Sequence, residues 1–234
     1  MTRLLVHVEG EAEESFVNGV LAPHLYGRGF SSVSARLIGN ARQRDRRGGI
    51  RAWSTVRKDI MNHLKEDRAS IATTMVDYYG LPQTGPKAWP RRSEAPKLAL
   101  SERANRVETA LLEDISREMG SSFNPERFIP YVVMHEFEAL LFSDCDRFGR
   151  GIGRPVLAPK FQEIRDTFAN PEEIDDSPET APSKRVAALV PGYQKPLMGT
   201  LAVLEIGLNA IRSACPHFQC WLRRLERLPV RMSA

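Results

Sequence analysis

Five acidic residues, Glu9, Glu13, Asp77, Glu136 and Glu138, stand at spacings that could bring them to one place. Glu9 closes the apolar run Leu4-Leu5-Val6-His7-Val8, Asp77 closes the run Ser70 to Val76, and Glu136 and Glu138 follow Phe128 to Met134. Each run has the length and branched side chains of a strand. In an open α/β sheet, ligands lie beyond the carboxyl ends of the strands, so acids distant in sequence would meet at one edge. Glu13 follows Glu9 by one helical turn and can point back at the same place. Carboxylates gathered in this way repel one another and raise each other's pKa values; a divalent cation relieves the repulsion. Oxygen ligands without thiolates select Mg²⁺ or Mn²⁺ over zinc, and such ions activate water and steady the charge of phosphoryl transfer. The expected ligands are Glu9, Asp77, Glu136 and Glu138, with Glu13 completing the catalytic set. The competing reading of any one acid is a helix cap or a solvated loop residue.

The segment His135-Glu136-Phe137-Glu138-Ala139-Leu140-Leu141-Phe142 is expected to be helical. Phe137, Leu140 and Leu141 then share one face, flanked by the two glutamates on opposite sides. Both acids can reach one metal only if the helix begins after Glu138; otherwise one is a spectator. The HExxH pattern of zinc proteases fails, because position 139 is Ala. His135 reads as a structural hydrogen-bonding residue.

Basic residues crowd other stretches. The net charge of +4 in 234 residues is small, but its layout is uneven. Arg42, Arg44, Arg46 and Arg47 lie in a glycine-bearing segment, 39–50, that reads as a mobile basic loop. Arg91 and Arg92 lie in the proline-rich loop 80–98. Both sets are candidate phosphate contacts for a nucleic-acid partner. Ser183-Lys184-Arg185 either caps a helix or adds a phosphate contact at its start. Trp53, Trp89 and Trp221 read as packing residues, with Trp89 also placed to stack on a base.

These residues need a scaffold. Strands at Leu4–Val8, Val33–Ile38, Ser70–Val76 and Phe128–Met134 alternate with helices starting near Glu11, at Trp53 and at Leu100, the last with Ser101 as its cap. That order predicts an α/β core over 1–148, mostly parallel and covered on both faces. Gly149 to Gly153 reads as a flexible hinge. Residues 149–234, with short helices near 160–169, 183–190, 198–212 and 216–228, read as a helical extension packed on the core.

Several classes are excluded. Three cysteines, with no CxxC, give no disulfide framework or thiolate zinc site. Cys215 and His217 lack a third partner for a nucleophilic site. No signal-peptide core follows Met1, and no uninterrupted apolar run reaches the roughly 20 residues of a bilayer span, so a cytoplasmic chain without a membrane partner is expected. GxGxxG and P-loop patterns are missing.

The words Val8-Glu9-Gly10 with Glu13-Glu14, Leu21-Ala22-Pro23-His24-Leu25, Thr74 to Pro82, His135 to Phe142, Pro171 to Ile174, Ala181 to Arg185 and Cys215 to Phe218 resemble the bacterial DUF4276 family over nearly the whole chain. The N-terminal half of that family resembles a Toprim domain, the catalytic fold of topoisomerases, primases and OLD-type nucleases. The resemblance implies Glu9 as the first-strand glutamate, Asp77 as the first acid of a DxD strand end, and Glu13 as a second glutamate of OLD-type enzymes. The second DxD position is Tyr79, so a ligand is missing unless Glu136 or Glu138 replaces it. The resemblance further implies a nuclease of a phage-defence system acting with an ATPase encoded nearby. The alternative is a degenerate Toprim-like module that binds nucleic acid or a partner without catalysis.

Overall fold

A computed structural model describes residues 2–38, 49–174, 177 and 179–232, with the backbone alone for 229–232. The 39–48 stretch, with Arg42, Arg44, Arg46 and Arg47, lies outside the described residues.

A parallel sheet in the order β2-β1-β3-β4 forms the centre, from β1 (Thr2–Val8), β2 (Phe30–Leu37), β3 (Ser70–Asp77) and β4 (Phe128–Ile129), and β5 (Val132–Val133) also pairs with β3. The α/β class follows directly. All eight residues of β3 are buried, as expected for a central parallel strand covered on both faces.

The expected fourth strand is split. Pro130 has no N–H to give a ladder, and the side chain of Thr74 fills the gap. Its Oγ1 donates to the Tyr131 carbonyl and accepts from the Tyr131 N–H, both at 2.9 Å. The register is the same on either side, Ala72 opposite Phe128 and Val76 opposite Val132. β5 therefore continues the path of β4 toward the acidic edge.

On one face, α3 (Trp53–Glu66) and α4 (Leu100–Met119) bury Trp53, Val56, Ile60, Leu64, Leu111 and Ile115 against Ala72 and Val76. Ser101 lies inside the first turn of α4, whose cap position is Ala99 without a side-chain bond. On the other face, Leu4, Val6, Val8, Ile71 and Met75 pack with residues as distant as Ile206, Phe218 and Leu228 in a single apolar cluster. That face carries α1 (Glu11–Phe16), α2 (Ala22–Tyr26), α5 (Cys145–Gly151), α6 (Ala158–Arg165), α7 (Pro182–Leu189), α8 (Lys195–Ala214) and α9 (Pro216–Met232). A π turn at Val17–Leu21 joins α1 to α2, where Pro23 supplies no N–H to the turn before it.

Gly149 and Gly151 belong to α5 and not to a hinge. A Cβ on Gly151 would sit 2.6 Å from Ala202 Cα, so the missing side chain is what lets α5 and α8 touch. Among the described helices, α8 has the length and mean hydropathy, 1.2, of a membrane span. It is nonetheless broken by non-helical backbone at Gly207 and buries Ala202, Val203 and Ile206 in the core.

Candidate active site

The five acids converge at the carboxyl edge of the sheet. Glu9 follows β1, and its Oε2 accepts the Asp77 N–H at 3.3 Å. Asp77 ends β3 and is buried; its Oδ1 accepts the Phe137 N–H at 2.8 Å. That bond ties the end of β3 to the segment after β5. A 3-10 turn runs from Phe137 to Ser143, with Glu136 extended at its cap and Glu138 in its first turn. The turn thus begins before Glu138, yet both glutamates lie in the electrostatic field of Asp77. Glu13 projects from α1 into the same edge with 2 % exposure. Two glycines make room for the acids. A Cβ on Gly80 would lie 3.1 Å from both Glu9 carboxylate oxygens, and one on Gly10 would lie 3.0 Å from Glu13 Oε2.

Lys195, at the start of α8, enters this cluster, and nothing in the sequence singled it out. Its Nζ lies 2.8 Å from Glu138 Oε2 and 3.3 Å from Asp77 Oδ2. Glu138 is wholly buried; Lys195 meets its Oε2, and its Oε1 has no hydrogen-bond donor among the described residues. The buried Tyr193 hydroxyl, also near Glu138, has no hydrogen-bond partner there either.

Five carboxylates beside one ammonium set the local electrostatics. Burial, with the charge of Asp77 next, pushes the carboxyls of Glu9 and Glu13 up to about 8. Burial also raises Glu138 to about 7, with Lys195 opposing the shift. Asp77 is raised by burial, against the pull of Lys195. For Lys195, burial works against the charge, but Asp77, Glu138 and Glu13 outweigh it and hold the ammonium protonated.

The donor set is oxygen only, which suits a hard divalent cation. Glu138, buried with its Oε1 unsatisfied, is what such an ion would complete. Among the described residues, no three His, Cys, Asp or Glu side chains converge at ligating distance as they stand. The ammonium of Lys195 lies against two of the acids instead.

Other expected site residues sit elsewhere or are already engaged. Ser183 donates its N–H to Glu136 Oε2 at 2.9 Å, so a carboxylate of the chain stands at the start of α7. The cap of that helix is Ala181. Lys184 is exposed, and Arg185 donates to the Thr180 carbonyl and lies over Phe168. Arg92 is buried, with its guanidinium 3.7 Å above the Tyr78 ring and Nε on the Tyr78 carbonyl. Arg91 is exposed and pairs with Glu94, which also holds Arg106. Trp89 is buried against Trp53 and donates to the Arg51 carbonyl, so it packs and presents no stacking face. His135 donates Nδ1–H to the Ile174 carbonyl at 2.9 Å. Cys215 is buried against Ser143, and His217 faces Glu108 at 2.8 Å.

The flanks of the arginine-rich stretch are tied to this edge. Ile38 donates its N–H to the Val8 carbonyl at 2.9 Å, and Gly49 donates to the Glu9 carbonyl at 3.1 Å. The residues bounding 39–48 therefore both attach where β1 ends.

The geometry can be set beside known proteins. A family profile described as Domain of unknown function (DUF4276) matches residues 8–226. The chain belongs to the DUF4276 family. All five acids and Lys195 lie inside the matched span, so the cluster belongs to the shared domain. No curated protein and no solved structure matches the chain significantly.

Proposed function

We propose that this DUF4276 chain is a Mg²⁺- or Mn²⁺-dependent nuclease that hydrolyses phosphodiester bonds, built on a Toprim-like core. The observation that carries the reading is the meeting of five carboxylates from three strand ends and α1 at one edge. Glu9, Asp77 and one of Glu136 and Glu138 would hold the ion. When bound, such an ion lowers the pKa of its water and offsets charge on the phosphoryl oxygens.

The residues of the chain do the rest. The Phe137 N–H orients Asp77 through Oδ1, leaving Oδ2 turned toward Lys195. The Asp77 N–H orients Glu9. Glu13, buried at the same edge, is the candidate to accept a proton from an attacking water. Arg42, Arg44, Arg46 and Arg47, in a stretch whose two flanks attach beside Glu9, would grip the phosphate backbone. Arg91 and the Ser183-Lys184-Arg185 turn are outer contacts in this reading. A bacterial defence role with an ATPase partner is part of the same proposal and rests on the resemblance to the DUF4276 family.

Purified protein should nick DNA or RNA with Mn²⁺, and Glu9→Gln or Asp77→Asn should abolish the cut. Identical cleavage by the variants would assign the activity to a contaminant and defeat the reading. A second reading, a degenerate module that binds nucleic acid or a partner, is favoured by Tyr79 at the second acid position and by the ammonium beside Asp77. Nucleic-acid affinity without any heat of Mn²⁺ binding at millimolar concentration would support it.

A further inference from the structure

We propose that Lys195 is a tethered counter-cation that holds the acidic edge closed to divalent metal and swings into solvent when the metal enters. The inference rests on the metal-site reading above and adds how that site is controlled.

Three observations carry it. The ammonium lies 2.8 Å from Glu138 Oε2 and 3.3 Å from Asp77 Oδ2, so it touches two oxygens that a metal would need. A divalent ion bonded to those same oxygens would be repelled by the ammonium at contact distance, so the two cations compete for them. Glu138 is fully buried, and while the lysine meets its Oε2, its Oε1 has no donor among the described residues, so the lysine balances the charge and leaves one oxygen unsatisfied. A ligand with more directed bonding to oxygen has something to gain there.

The third observation is that the lysine has somewhere to go. Its side chain is 40 % exposed even while it touches the acids. It stands at the first position of α8, after a connection that turns at Gly192, whose φ is +78°. Rotation about side-chain bonds alone can carry the ammonium into water, leaving α8 packed on α5.

The apparent affinity for metal is then the intrinsic affinity scaled by the fraction of molecules with the lysine withdrawn. Lys195→Met removes the competitor and keeps the apolar stem. Calorimetric titration with Mn²⁺ should show Kd falling about tenfold or more in Lys195→Met. Equal or weaker binding by the variant overturns the proposal and leaves the metal site standing. No binding by either protein defeats the metal-site reading itself.

Because the variant exposes five acids to mutual repulsion, the wild-type chain supplies a second measurement. Acetylation of Lys195 by an amine-selective reagent, read by mass spectrometry, should speed up about fivefold or more on adding Mn²⁺, as a withdrawn fraction becomes the majority. Bound Mn²⁺ with unchanged or slower labelling at Lys195 also overturns the proposal.

Discussion

Glu13→Gln should stabilise the metal-free protein at mildly alkaline pH. Burial, and then the charge of Asp77, lift the Glu13 carboxyl from its ordinary 4.5 up to about 8. In that window the folded state binds more protons at this site than the unfolded chain does. The contribution of this carboxyl to stability therefore falls as pH rises from about 4.5 towards 8. At about 1.4 kcal/mol per pH unit, Glu13 alone costs the fold roughly 3 kcal/mol between about pH 5 and about pH 8. Gln keeps the shape and cannot ionise, so its variant should escape most of that loss. For a chain of this size the difference amounts to roughly 6–12 °C in Tm. The assay is thermal and urea unfolding of both proteins in EDTA at the two pH values. Because the acids repel one another, removing one eases the rest, and the effects of several such variants will not add. Parallel pH dependence in wild type and Glu13→Gln would refute the reasoning.

Other consequences are equally open to measurement. Gly80→Ala puts a Cβ 3.1 Å from both Glu9 oxygens; it should weaken Mn²⁺ binding about tenfold, roughly 1.4 kcal/mol, with every acid still present, and calorimetry reads it. Gly151→Ala drives a Cβ to 2.6 Å from Ala202 Cα, and urea unfolding should show a loss of about 1–3 kcal/mol or more from overpacking. His217→Ala leaves Glu108 buried without its imidazole partner, keeping only the Val132 N–H, and should cost about 3 kcal/mol. Burial opposes the His217 charge, but the Glu108 hydrogen bond outweighs it and raises the pKa. The stabilisation from that pair is complete below the ordinary histidine range and fades as pH rises through the raised value, a profile His217→Ala should lack.

The strand ends were legible because apolar runs with a closing acid carry a strong local signal. Asp77 and Glu9 needed nothing more than the rule that parallel strands present their carboxyl ends together. Lys195 was not legible: it lies 118 residues from Asp77 in sequence, and a lone lysine before a proline has no pattern. The start of α8 aims it, and the packing of α8 on α5, on α1 and on the Phe137–Ser143 turn fixes that start. The glycines at 149 and 151 were misread for the opposite reason. Glycine signals freedom in a loop but also close approach between helices, and the small Ala202 facing Gly151 distinguishes the two. Arg92 looked like surface charge because sequence shows its type and not the Tyr78 ring beneath it. Pro130 breaks the ladder inside what reads as one strand, Phe128–Met134, and the repair by the Thr74 hydroxyl depends on a register no single segment reveals.

The claim that the acidic edge is a divalent-metal site is tested most directly by the anomalous-difference map of a crystal soaked in Mn²⁺. The account predicts a peak bounded by Glu9, Asp77 and at least one of Glu136 and Glu138, with oxygens at about 2.0–2.6 Å and the Lys195 ammonium withdrawn. A map without density at that edge at millimolar Mn²⁺, with Lys195 still against Glu138 and Asp77, would contradict it.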